Sequence, residues 1–308
     1  MPHSNPPSPL YVNALAESPA QLLRSESPAD RAVKLSEYCL EIIETTYKEA
    51  LSEAKELGLI LVGGQALSIW ARYYLLDEMT GQEALMATSD DVDFYGASSE
   101  SVDFLERKLQ GTFKRATLND PPPHIAITKL EYDNQFVTID VLNGVTGVEK
   151  QQVANGLLTV SPFASGVEVL VIDPLCCLRS RLHNLYAHFT KDKERERIRV
   201  ELAIRTCKLF LHDLYEDEQY AGIRQKLKDL KQIVKSDEGM KAYLDYGIDI
   251  LKAFPSPDHL NDTPTYRDRF LPNTISEIED KRARQRRHRI LRGIALHDPA
   301  AALLRDSR

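Results

Sequence analysis

The run Leu59-Ile60-Leu61-Val62 is continuously apolar and stops at Gly63-Gly64, after which Leu67, Trp70, Ala71 and Tyr74 recur at helical spacing. A switch from a buried strand to a helix (65–76) across two glycines excludes an all-helical bundle and an all-β sandwich alike. The flanks extend the pattern. Upstream, Leu35, Tyr38, Cys39, Ile42, Ile43, Tyr47, Ala50, Leu51 and Ala54 repeat at three and four, which predicts one long amphipathic helix over 31–58. Downstream, 92–95, 125–132, 136–142 and 167–172 read as strands, with a helix over 100–109 and a turn at Asp133-Asn134. From Asp173-Pro174 onward the β signal disappears. Helices are expected over 174–189, 194–214, 219–235, 239–253 and 275–292, with a Pro-rich break at 254–264.

The expected fold class is therefore α/β (α+β), a mixed sheet flanked by helices followed by a helical region. Residues 1–30 hold six of the 16 prolines and read as a flexible arm, 31–172 as the sheet domain, and 173–308 as a C-terminal helical domain. A chain of 308 residues, 43% hydrophobic and 28% charged, is not disordered throughout. It lacks an apolar run of the roughly 20 residues a membrane span requires, and its first residues lack a signal peptide's basic start and apolar core. A cytoplasmic protein with no membrane partner is the expectation. Four cysteines at irregular spacing give neither a disulfide framework nor a zinc motif, so Cys176 and Cys177 are assigned no chemistry. The net charge of −7 argues against a general nucleic-acid coat.

Three features carry chemistry. Alternation along Asp91-Val92-Asp93-Phe94 puts Asp91 and Asp93 on one strand face, where two carboxylates against an apolar backing repel unless a cation lies between them. Hard oxygen donors suit Mg²⁺ or Mn²⁺ better than zinc. In the strand 136–142, Val137, Ile139 and Val141 define the buried face, and Asp140 adds a third carboxylate on the other. Gly63-Gly64, at a strand-to-helix junction, has the form of a phosphate approach. Charge is divided to match: nine acidic residues and no Lys, Arg or His lie between Tyr73 and Glu106, whereas Arg179, Arg181, Lys191, Lys193, Arg195, Arg197 and Arg199 follow Pro174. Metal on one wall and phosphate on the other is the arrangement that phosphoryl and nucleotidyl transfer use. Each feature also has a structural reading: a glycine turn, a strand-edge charge pair, a solvent-facing carboxylate, and solvated helix faces with i, i+4 pairing through Glu194, Glu196 and Glu201. Their order along the chain favours the site.

In that order, Gly63-Gly64, Asp91-x-Asp93 and Asp140 resemble the pattern of the DNA polymerase β-type nucleotidyltransferase superfamily. Within it, Leu61-Val62-Gly63-Gly64-Gln65-Ala66-Leu67 is similar to the opening motif of the AbiEii/AbiGii-type toxin nucleotidyltransferases, over residues 55–210. The resemblance implies that 31–172 is a catalytic domain transferring a nucleoside monophosphate from an NTP to an acceptor hydroxyl on RNA, such as a tRNA end, or on a protein. It implies an antitoxin partner. It assigns Asp91, Asp93 and Asp140 to the metals, Asp140 also to activating the hydroxyl, and Gly63, Gly64, Gln65, Arg179 and Arg181 to the nucleotide. In two places the chain departs from that pattern. Residues 77–89 read as an inserted acidic loop, either restricting the acceptor or forming a mobile excursion, and Gln65 stands where many members carry a small hydroxyl residue.

Further candidates are His124, as a loop histidine or a substrate contact, and His183 with Asn184, as pocket or packing. Trp70, Tyr73 and Tyr74 are expected in the core. The run from Lys281 to Arg289 is either a solvated face or a nucleic-acid backbone contact. The rival functions are a catalytically silent nucleotide- or partner-binding chain and a nucleic-acid-binding protein that uses this basic helix.

Overall fold

The computed structural model describes residues 28–296 apart from 97, 118–122, 134, 188–189, 191, 259 and 261–263. All but the last three residues of the expected arm, Asn134 of the expected turn, and Lys191 lie outside that set. Helix α1 (Pro28–Tyr47) begins within the stretch expected to be loose. It ends earlier than the single long helix expected, because Glu49 takes a left-handed φ of 57° and starts a new direction for α2 (Leu51–Glu56). The break lets the Tyr47 hydroxyl reach inward and donate to the carbonyls of Leu59 and Leu170.

Strand β1 (Ile60–Val62) runs directly into α3 (Gly63–Leu75), which is followed by α4 (Gly81–Ala87), β2 (Asp91–Tyr95), α5 (Ser99–Leu109), β3 (Lys114–Arg115), β4 (His124–Tyr132) and β5 (Gln135–Leu142). Next come α6 (Lys150–Asn155), β6 (Leu157–Val160) and β7 (Val169–Ile172). The seven strands form one mixed sheet in the order β3-β4-β5-β2-β1-β7-β6. Strand β1 is antiparallel to β2 and parallel to β7, and β2 is parallel to β5. The sequence pattern does not predict β3, β6, α4 and α6, all short and without a sustained period.

The helical half comprises α7 (Pro174–Tyr186), α8 (Lys193–Lys235), α9 (Asp237–Tyr246), a 3₁₀ turn (Ile250–Ala253), a π turn (Tyr266–Phe270) and α10 (Leu271–Leu291). Two helices expected over 194–235 are one, since no Gly or Pro lies between Leu214 and Gln219 to stop it. The helix expected over 239–253 ends instead at Gly247, in a left-handed conformation. Among the described residues no helix is long and apolar enough to cross a membrane.

Two main cores meet across α3. Ala66, Ile69 and Trp70 belong to the sheet core, Leu67 to the helical core, and Ala71 and Leu75 pack with Ala87 and Leu202. A helix buried on nearly every side needs apolar residues all round. The Trp70 indole N–H donates to Ile172 at 2.7 Å, tying α3 to the last strand. Tyr74 is half-buried and Tyr73 is 58% exposed, so Tyr73 lies outside the core expected of it. It sits at the margin of the apolar stripe, its ring edge-on to Tyr74.

Candidate functional site

The pleat sorts the sheet's two faces. Val92, Phe94, Val137, Ile139 and Val141 are fully buried. Asp91 and Asp93 share the opposite face with Thr138 and Asp140, because the parallel register sets Asp91 against Thr138 and Asp93 against Asp140. On the other side of β2, Val62 opposes Asp93, so Gly63-Gly64 and the N-terminus of α3 follow immediately beside that carboxylate. Three carboxylates and the glycine turn thus gather at one place.

The glycines serve Asp93 directly. A Cβ on Gly63, whose φ is +66°, would lie 1.8 Å from Asp93 Oδ2, and a Cβ on Gly64 would lie 2.3 Å from Ser89 Oγ. The space expected for an approaching phosphate at Gly63 is therefore taken up by the Asp93 side chain, while Gly64 lines the cavity above it. Burial, together with the charges of Asp91 and Asp140, pushes the Asp93 carboxyl up to about 8, against the pull of Arg181 and the Gly64 N–H. Burial likewise raises Asp140, with Asp91 adding to the rise and His124 opposing it. The Ser89 hydroxyl donates to Asp91 Oδ1.

His124 arrives at the site through a β-bulge. The register between β4 and β5 shifts between His124 and Ala126, so that His124 opposes Leu142, on the carboxylate face. Its Nδ1 stands 3.3 Å from Asp140 Oδ1, at ion-pair distance but in a direction that leaves that oxygen without a hydrogen bond. The residue expected in a loop is the first of a strand.

A cavity of about 640 Å³ opens over this face. Its second wall comes from the helical half: Arg181 and Asn184 of α7, and Arg195, Glu196 and Arg199 of α8. Arg181, Glu196 and Arg199 are all nearly buried, and Glu196 Oε1 accepts from Arg181 at 3.5 Å and from Arg199 at 3.0 Å. Arg199 also donates to the carbonyls of Met86 and Thr88, and Arg195 donates to Thr88 as well. These contacts fix the segment that delivers Ser89, Asp90 and Asp91. The expected acidic loop is not a loose excursion: α4 occupies it, begun by a Thr80/Glu83 capping box and held to α8 by Glu83–Arg205 at 2.7 Å.

Other expected contacts fall elsewhere. Gln65 is fully buried, and its amide donates to the Ser89 carbonyl at 2.8 Å, so it supports the cavity wall from behind rather than facing a ligand. Arg179, two residues from Arg181 and hence on another side of α7, does not line the cavity. His183 packs on Gly147 and stands 3.8 Å from Glu238, away from the cavity that Asn184 lines. Arg195 and Arg199 are legible in the sequence only as members of a basic stretch. Their i, i+4 spacing, which puts both on one stripe of α8, is the available signal. All four cysteines are buried and free.

Among the described residues no three His, Cys, Asp or Glu side chains are gathered closely enough to form a ready-made metal cage. Asp91 and Asp93 face the cavity together with Asp90, Asp192 and Glu196, and Asp140, which does not line it, stands beside Asp93 across the register. Compared with protein-family models, curated proteins and solved structures, the chain matches none.

Proposed function

We propose that the chain is a metal-dependent nucleotidyltransferase, moving a nucleoside monophosphate from an NTP to a hydroxyl of an acceptor RNA or protein with release of pyrophosphate. The observation that carries this reading is the register that sets Asp93 beside Asp140 and Gly63-Gly64, facing a wall of Arg181, Arg195 and Arg199. Mg²⁺ or Mn²⁺ suits the donor set: magnesium is commonly held by one or two carboxylates completed by substrate phosphates, so a full protein cage is not required. The elevated Asp93 carboxyl and the Asp140 oxygen left without a hydrogen bond fit a place where a cation belongs. When bound, the metal would neutralise phosphate charge and lower the barrier to attack.

The chain's own groups have distinct tasks. Asp91 and Asp93 hold the metal, and Asp140 completes the set and orients the attacking hydroxyl. Arg181 meets the phosphates with a charge-assisted hydrogen bond. Arg195 and Arg199 keep the wall in place. The motif resemblance further suggests the toxin half of a toxin–antitoxin pair, with an antitoxin protein as partner.

Incubation with each α-labelled NTP, Mg²⁺ and total cellular RNA or protein, followed by asking which fraction carries label, tests this. Label transfer that needs metal and Asp93 supports it, and its absence with every NTP and acceptor refutes it. A catalytically silent nucleotide-binding protein is the second reading, favoured by Glu196 already engaging Arg181 and Arg199. It predicts Mg-NTP binding without transfer.

A further inference from the structure

Helix α10 is docked along one side. Ile278 is fully buried, Arg282 lies 3.6 Å from the centre of the Tyr243 ring and donates to Asp249 and Glu279, and Arg289 pairs with Asp245. The Lys281 ammonium donates to the carbonyl of Lys235. Three of the basic residues in this run therefore serve as anchors, and the rest point outward. Arg284, Arg286, Arg287, His288 and Arg292 are exposed, and among the described residues none of them has an ion pair or side-chain hydrogen bond. No Asp or Glu occurs from Lys281 to Leu296. A solvated helix face normally mixes both signs. This one carries a single sign, in a chain whose net charge is −7.

We propose that the outer face of α10 binds the phosphate backbone of a nucleic acid, at a place separate from the carboxylate cavity. Guanidinium groups supply nearly all of the exposed charge, and their forked donors match phosphate oxygens as an ammonium does not. The anchors hold the helix still, so the cations are presented without the cost of ordering a free tail. An anionic lipid surface fits less well, although Ile290 and Leu291 are exposed nearby. At about 100° per residue, Arg287 falls between Ile290 and Leu291 around the helix, and Arg284 falls just beyond Leu291. Apolar and charged groups are therefore interleaved, whereas membrane-surface helices keep them on separate faces. The helix end is tied to α7: Asp245, which holds Arg289, accepts from the Tyr186 hydroxyl at 3.2 Å.

The test is fluorescence anisotropy of the full chain with labelled single-stranded RNA across a KCl series, in chelator and without nucleotide, so that it does not depend on transfer. The comparison is the variant R284Q/R286Q/R287Q/R292Q, which leaves Lys281, Arg282 and Arg289 in place. The wild type is expected to bind with an affinity that falls steeply with salt. The variant is expected to bind about 10-fold more weakly or worse, with a log–log salt slope shallower by about 0.7 for each phosphate it no longer neutralises. The single variants R284E and R287E, each weakening binding, give the same answer should the quadruple variant melt early. Wild-type binding that is absent or insensitive to salt, or variants that bind like wild type, would overturn the proposal. So would variant-sensitive binding to phosphatidylserine vesicles with none to RNA. Mg-NTP binding in the cavity should be unchanged in all variants, which separates failure of this surface from failure of the transferase reading.

Discussion

Asp93 concentrates the physics of the site in one side chain. It lies over a glycine with positive φ, in register with a second carboxylate and two residues from a third, facing a buried arginine. Its folded carboxyl titrates near 8, raised from the ordinary value of 3.8 chiefly by burial. The folded state therefore holds a proton that the unfolded chain has already released, and stability declines as pH rises between those two values. Metal-free protein in chelator should melt progressively lower from pH 5 to pH 8. Asp93→Asn should flatten that decline and raise the melting temperature at pH 8. A flat wild-type profile would show that the Asp93 carboxyl is not raised in the folded state. Arg199 presents the opposite case, a buried cation with every arm in use. Arg199→Ala leaves the buried Glu196 with one weak partner and the Met86 carbonyl undonated, while Thr88 keeps its bond from Arg195, so a loss of about 3 kcal/mol is expected in urea unfolding. A loss below about 1 kcal/mol, the size of a single ordinary hydrogen bond, would mean the network is loose.

At the scale of elements, α4 decides how the cavity's near wall is made. Its start is capped, and its last carbonyls are gripped by Arg195 and Arg199. Replacing 78–87 with a Gly-Ser link should lower the melting temperature by several degrees and also weaken Mg-NTP affinity, because Asp91 loses its fixed approach. Unchanged binding with altered acceptor choice would favour the reading in which this segment restricts the acceptor. The sequence carries little sign of α4 for a physical reason. Seven residues with one buried side chain give no periodic stripe, and its stability comes from α8, more than 100 positions away. The same holds for β3 and β6, which exist as edges of a sheet built by others. By contrast β1, β2 and β5 are legible because burial on one or both faces writes itself into two-residue alternation or apolar runs. The break at Glu49 leaves no mark, since an acidic residue in a left-handed turn resembles an exposed helix position.

For the molecule as a whole, the sheet face carrying the carboxylates is readable residue by residue, whereas the wall opposite it is readable only as a basic stretch that includes Arg181, Arg195 and Arg199. Asp91, Asp93 and Asp140 announce themselves as polar interruptions in apolar strands. That Arg181 and Arg199 would meet them depends on α3 lying between two cores, a tertiary fact with no local signature. Gln65 shows the limit of reading a motif by position: its place beside the glycines suggests a ligand contact, and packing turns it inward.

If three carboxylates on two strands act as one metal and nucleotide site, Asp140 is the residue that shows it best, because Asp91 and Asp93 alone could be a charged strand edge. The decisive measurement is the rate of α-label transfer from NTP in Mg²⁺ for Asp140→Asn beside wild type, with melting curves to show that the variant is folded. A shared site requires a loss on the order of 100-fold or more with the fold retained. Transfer within a few-fold of wild type in folded Asp140→Asn would refute it.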